Sequence, residues 1–212
     1  MADKQETTTL VYPDRGRLTF DAEGTEGGRY HSRKLHVPGP SSGLTIGRGY
    51  DMGAKSAGQI TTDLAVAGVE LVMAKTLSGA ATLRGENARK FVKDKNVDGF
   101  EISALGQKTL FDITYAAEEA IARRVCEKAK KHGLCKWDEL HSAIRDLIVD
   151  LKYRGDYTES SREQIQPLIV ANDLAGLAKA MADKSVWKSV PSDRFERRKA
   201  FMDQALTANS AN

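Results

Sequence analysis

Acidic residues are distributed unevenly at the start of this 212-residue chain. Asp21, Glu23 and Glu26 lie close together, no acid occurs from Gly27 to Tyr50, and Asp51 follows. Two carboxyl groups separated this way are the working parts of acetal hydrolysis. One, protonated, donates to the leaving oxygen, and the second acts from the other face by orienting water or attacking directly. Gly24 directly follows Glu23, as where a short helix stops. A Glu at such an end, half covered by a neighbouring lobe, can hold its proton near neutrality.

The segment Ser42-Gly43-Leu44-Thr45-Ile46-Gly47-Arg48-Gly49-Tyr50-Asp51-Met52-Gly53 must supply the opposing group. On a strand, Leu44 and Ile46 point one way and Thr45 and Gly47 the other. One face is apolar, and the other is nearly bare apart from a single hydroxyl, open to a bulky ligand. A straight strand would hold Thr45 and Asp51 about 20 Å apart, at roughly 3.3 Å per residue. Only a fold-back at Gly47-Arg48-Gly49 brings them together, and two glycines permit one.

Glu23-Gly24, Tyr30 seven residues after Glu23, and Thr45-Ile46-Gly47-x-Gly49 together resemble the opening of the phage-type lysozymes. In that family a Glu-Gly pair ends the first helix, a Tyr follows seven residues on, and a Thr-Ile-Gly-x-Gly hairpin walls the cleft. The phage enzymes carry an Asp a few residues before the Thr, whereas Leu35 to Ser42 contains none. The lysozyme-like toxin domains of the pesticin type place it six residues after the Thr, the Thr45-to-Asp51 spacing. The resemblance covers about residues 18 to 53. It implies a lysozyme-like α+β fold, with Glu23 as general acid and Asp51 and Thr45 holding or activating water. The substrate it implies is peptidoglycan, cleaved at the β-1,4 bond between N-acetylmuramic acid and N-acetylglucosamine. An inverting reaction requires a carboxyl separation of ~6.5–9.5 Å, and a retaining one ~5–5.5 Å.

Other residues keep two readings. Glu26 is the reserve acid. Thr45 is also an ordinary strand former, and Asp51 an ordinary turn or helix cap. Tyr30, Arg48 and Tyr50 are the expected substrate-binding residues: the tyrosines as packing or cleft wall, and Arg48 as a contact for a peptide-stem carboxylate or a solvated side chain. His31 and His36 have no partner at metal-ligand spacing, and no metal or organic cofactor is expected. The run Lys152 to Tyr157 lines the far side of the cleft or is structural. Trp137 and Trp187 read as core more readily than as sugar platforms. Cys126 and Cys135 are too few for a disulfide framework; they are two partly buried thiols, or one disulfide formed in an oxidising compartment.

These residues need a scaffold. Residues 13 to 53 are Gly-rich, hold three of the five prolines and read as a small β-containing lobe. A mostly helical body follows, with the cleft expected between the two. Apolar spacing predicts a helix over about 103–131, with Leu110, Ile113, Ala117, Ala120, Ile121 and Val125 inside. Asp138 is the expected N-cap of the next helix, whose buried stripe is Leu140, Ile144, Leu147, Ile148 and Leu151. Ser160 and Glu163 have capping-box spacing, and Pro167 should kink or end that helix. Further helices are expected at about 59–77, 84–94, 172–183 and 192–207. The organisation is a polar tail over 1–12, one catalytic domain over 13–207 and a short tail over 208–212.

Composition is that of an ordinary globular chain, with 41% hydrophobic and 29% charged residues. A net charge of +3 does not by itself call for nucleic acid. Five positive charges against one negative over Arg123 to Lys131 read as a solvated helix face or as a contact for acidic polymer. No nucleic acid is expected as a partner, nor membrane insertion. The N-terminus lacks a signal-peptide pattern, so a wall hydrolase made in the cytoplasm would be released by phage lysis or injected as a toxin. It would then act in the periplasm or wall of a target bacterium. The expected partners are glycan strands and, for a toxin, an immunity protein; a monomer is expected. The rivals are a lytic transglycosylase and a non-catalytic wall-binding module.

Overall fold

The computed structural model describes residues 10–28, 31–129 and 131–210. The described residues are mostly helical with one small antiparallel sheet, broadly α+β. It divides into two compact units. Unit 1 comprises Glu23–Thr114 with the described residues up to Asp14, and unit 2 comprises Arg15–Ala22 and the chain from Tyr115 onward. The boundary expected near residue 53 is therefore displaced. The hairpin shares its core with the helices that follow it, so the first unit continues to Thr114.

Unit 1 contains β1 (Thr45–Ile46), β2 (Tyr50–Asp51), α2 (Ala57–Val66), α3 (Leu71–Ser78), α4 (Gly85–Asp94) and the first part of α5 (Ala104–Glu127). Its core gathers Leu44, Ile46, Tyr50 and Met52 from the hairpin region with Ile60, Leu64, Leu77, Phe91 and Leu110 from the helices. The segment expected as one helix over 59–77 is two. α2 ends at Val66, and Glu70 starts α3 by accepting from the Val72 and Met73 amides. Ser56 caps α2 by accepting from Gln59 N–H. Side-chain acceptors of this kind satisfy amides that a helix start leaves without partners.

Unit 2 contains α1 (Arg17–Ala22), the rest of α5, α6 (Ser142–Arg154), α7 (Glu159–Val170), α8 (Leu174–Ala182) and α9 (Ser192–Ser210). Leu18, Thr19 and Phe20 bury α1, which packs on α6 and α9. The α6 stripe is inside as expected. Its N-cap is His141, whose Nδ1 accepts from Ala143 N–H; Asp138 lies in a short 3-10 turn before it. The α7 capping box is Thr158 with Ser161, not Ser160 with Glu163. Pro167 lies inside α7 without ending it. The α5 stripe also differs. Phe111, Tyr115, Ala122 and Cys126 are buried beside Leu110, while Ala117 and Ala120 are exposed. α5 offers two adjacent apolar stripes, and the one carrying the two aromatic rings buries more area and takes the inside.

Cys126 and Cys135 form a disulfide, which decides between their two readings. Closing so short a loop stabilises by about 3 kcal/mol on the chain-entropy account. Buried Gln166 reinforces it, donating to the carbonyls of Cys126 and Gly133, each at 3.2 Å. Trp137 and Trp187 are buried, and Trp187 Nε1 donates to the Ala180 carbonyl. Among the described residues, no helix is long and apolar enough to cross a membrane.

Candidate active site

Glu23 is the residue after α1 and the point at which the chain passes from unit 2 to unit 1. It is half-buried. Gly24, however, is not in the left-handed conformation that marks a helix-capping glycine. Its requirement is space: a Cβ there would lie 2.9 Å from both Arg48 Cγ and Ser32 Cβ.

The fold-back occurs. β1 and β2 pair antiparallel, with Thr45 opposite Asp51 and Ile46 opposite Tyr50. Gly47 at φ +64° and Gly49 at φ +90° make the turn, conformations that cost a side-chain-bearing residue energy. Directly opposed residues share a face with Cβ atoms about 4.5–5.5 Å apart, so Thr45 and Asp51 are neighbours and Ile46 and Tyr50 enter the core together.

The Asp51 carboxylate is fixed at both oxygens. Oδ1 accepts from Gly53 N–H at 2.7 Å, and Oδ2 from Gly43 N–H at 3.2 Å. This is the capping role weighed from sequence, since Asp51 starts the short 3-10 turn Met52–Ala54. Each oxygen has two lone pairs, so the amides orient the carboxylate and still leave acceptor capacity for a water. Gly43 is needed for the approach, because a Cβ there would fall 2.1 Å from Asp51 Oδ1. Arg84, flanking α4, backs this corner by donating to the carbonyls of Ser41 at 2.8 Å and Gly53 at 3.2 Å.

Thr45 is more enclosed than a bare strand face implies. It is 5% exposed, and its hydroxyl donates to the Gly43 carbonyl at 3.2 Å. The covering segment is the one at His36, an isolated bridge that exchanges both backbone hydrogen bonds with Thr45 on the edge away from Asp51. Tyr50 is fully buried and donates to Asp63 at 2.8 Å. Burial, then the Asp63 carboxylate, pushes its phenol well above the ordinary range. Its geometry is that of packing, the first of its two readings. Tyr30 lies outside the described residues.

Arg48 is 3% exposed and points inward, which leaves neither of its sequence readings, stem contact or solvated side chain, an outward-facing guanidinium. It donates to the Gly24 carbonyl at 2.8 Å and to Glu26 Oε1 at 3.2 Å. Glu26, the reserve acid, is occupied at both oxygens: Gln107 donates to Oε1 at 2.6 Å and Arg33 to Oε2 at 3.1 Å. An acid surrounded by internal donors is poorly placed to meet a leaving oxygen. Beyond it, His31 Nε2 lies 2.9 Å from Glu101, and Gly27 N–H donates to His31 Nδ1. That His31 hydrogen bond, ahead of the Arg33 charge, holds the Glu101 carboxyl below its usual range.

Sequence reasoning missed Arg33, Ser32 and Gln107. The Ser32 hydroxyl lies 2.6 Å from Gln107 Oε1 and 2.9 Å from the Thr25 carbonyl. A polar Gln on the inner face of α5 was the available signal, since buried amides are retained with partners. The basic segment at the end of α5 and just beyond it resolves differently. Arg123 forks onto Asp138 at 3.0 and 2.7 Å, and Lys131 pairs with Glu159 and Glu163. Local acids answer these two charges, as on a solvated face.

The profile of the family described as Domain of unknown function (DUF8812) matches residues 16–199. The chain belongs to that family. The matched span of this DUF8812 domain holds Glu23, Thr45 and Asp51 together with Arg48 and Glu26. No curated protein matches the chain.

Proposed function

We propose that this DUF8812 chain is a muramidase that hydrolyses the β-1,4 bond between N-acetylmuramic acid and N-acetylglucosamine. Glu23 donates a proton to the leaving oxygen. Asp51, with Thr45 beside it, orients the water, which gives inversion. The reading rests above all on the cross-strand pairing of Thr45 with Asp51, which joins a hydroxyl and a fixed carboxylate on one hairpin face. The Cys126–Cys135 disulfide suits an oxidising compartment such as the periplasm. The lysozyme-like fold, action on a target bacterium's wall and a toxin's immunity partner belong to this same reading.

The experiment is digestion of purified peptidoglycan by the parent, Glu23→Gln and Asp51→Asn proteins, with products identified by mass spectrometry. Water-added reducing ends are expected, with a rate loss of about 10²–10⁴-fold for Glu23→Gln, the usual contribution of a general acid. Equal lysis by Glu23→Gln and parent would sink the assignment.

A second reading, a lytic transglycosylase, is favoured by one feature. Both Asp51 oxygens already bind backbone amides and the Thr45 hydroxyl donates inward, so a reaction using Glu23 alone asks less of the hairpin. Anhydro-muropeptide products, with full activity in Asp51→Asn, would decide for it.

A further inference from the structure

The hairpin tip is fastened to the backbone that carries Glu23. Arg48 sits between the two turn glycines, and its Nη1 donates to the Gly24 carbonyl, the peptide oxygen immediately after Glu23. Its Nη2 reaches Glu26 two residues further. The arginine stem also touches Gly24, where any Cβ would collide with it. On the opposite side, Ser32 accepts no compromise either: its Cβ lies 2.9 Å from the same added carbon, and its N–H donates to the Thr25 carbonyl at 3.0 Å. Ser32 also accepts from Gly47 N–H through its carbonyl, at 2.8 Å. The Glu23-Gly24-Thr25-Glu26 corner is therefore held against the turn by a guanidinium and by a backbone bridge through Ser32.

We propose that Arg48 is a positioning residue, which fixes the Glu23 carboxyl relative to the Thr45–Asp51 pair by holding the Gly24 carbonyl. The inference rests on the muramidase reading for its catalytic consequence, while its structural content stands on the Arg48–Gly24 contact alone. A planar fork can hold the carbonyl and Glu26 at once, whereas a lysine ammonium on a shorter reach keeps the charge without the fork. An arginine placed only to neutralise Glu26 would tolerate that exchange.

The test uses the full chain labelled with ¹³C at glutamate carboxyl carbons, the Glu23 signal being assigned by its loss in Glu23→Gln. Arg48→Lys should displace the Glu23 signal, and leave Glu118, which pairs with Lys152 in unit 2, unchanged. Glu26→Gln removes the negative charge facing Arg48 but keeps the Gly24 contact, and should displace the Glu23 signal by less than half as much. On peptidoglycan, Arg48→Lys should lower kcat by about tenfold to a hundredfold with KM within about twofold, the scale of a small misplacement. Should Arg48→Lys fail to fold by circular dichroism, Gly24→Ala, which pushes on the same contact from the other side, replaces it with the same expectations.

Failure of each idea is separately visible. An unmoved Glu23 signal, or a Glu26→Gln displacement equal to that of Arg48→Lys, overturns the positioning role even if the parent cleaves peptidoglycan. A displaced signal in a parent that never cleaves overturns the muramidase reading and leaves the Arg48 contact to position Glu23 for other chemistry.

Discussion

Both units of this chain tie a carboxylate down with a pair of arginines, to different ends. In unit 2 Asp150 is wholly buried on α6, where Arg194 Nη2 reaches it at 2.7 Å and Arg198 Nε at 2.6 Å from α9. Arg198 continues to Asp156 at 2.7 Å, which also meets Arg154. In unit 1 Glu26 keeps about a quarter of its side-chain surface and is held by Arg33 and Arg48 in a segment with almost no regular structure. The first pair locks two long helices together. The second shapes a loop beside a turn. Burial decides what each is worth, because removing one partner from a dry ion pair leaves charges that nothing else can solvate.

The largest predicted effect follows directly. Asp150→Ala takes the shared carboxylate away from two guanidinium groups that are 7% and 2% exposed, and should cost about 3–5 kcal/mol of unfolding free energy in urea. A loss below about 1 kcal/mol would mean that water reaches this cluster and that the contrast with Glu26 is false. Reduction of the Cys126–Cys135 disulfide comes next. A Cys126→Ser, Cys135→Ser protein should lose about 2–3 kcal/mol, and an unchanged urea midpoint would show that Gln166 and its carbonyl partners hold that loop unaided.

Glu26→Gln is the smaller counterpart of Asp150→Ala. One oxygen survives to accept, and water can reach the vacated donors, so about 1–2 kcal/mol is expected. If Glu26→Gln destabilises as much as Asp150→Ala, the two arginine pairs are equivalent locks and the loop in unit 1 is as rigid as the helices of unit 2.

The contrast also explains what was legible in the sequence. The helices of unit 2 announce themselves, since α6 buries the stripe its spacing implies and α9 begins where expected. Caps were harder, because Asp138 and His141 both carry acceptors and only the position of the chain turn selects between them. The hairpin was legible as a condition, namely two glycines around Arg48, and the register of Thr45 with Asp51 meets it. The partners of Glu26 were not legible. Arg33, Arg48 and Gln107 are separated from it by 7, 22 and 81 residues, and no local pattern marks a contact made by long-range folding. The enclosure of Thr45 was hidden for the same reason, since the covering segment at His36 is not a regular strand.

The smallest effect concerns a third carboxylate, Asp146 on α6, which has neither an arginine clamp nor full access to water. Tyr115 donates to it at 2.8 Å. Burial, outweighing that hydrogen bond and joined by the Glu119 charge, raises its pKa; Arg15 and Arg145 pull the other way. A carboxyl raised on folding favours the folded state while it remains protonated. Its contribution is therefore complete below the unfolded aspartate value near about 3.9 and is lost as pH rises through the folded value. Asp146→Asn removes this dependence and keeps an oxygen to accept from Tyr115. The variant should melt higher than the parent at neutral pH, by a few degrees at about 2–4 °C per kcal/mol for a chain of this size, and the two curves should converge towards pH 3. A gain that persists undiminished at low pH would assign the effect to packing and not to charge. A loss at neutral pH would place Asp146 with Asp150, as an anion on which the fold depends.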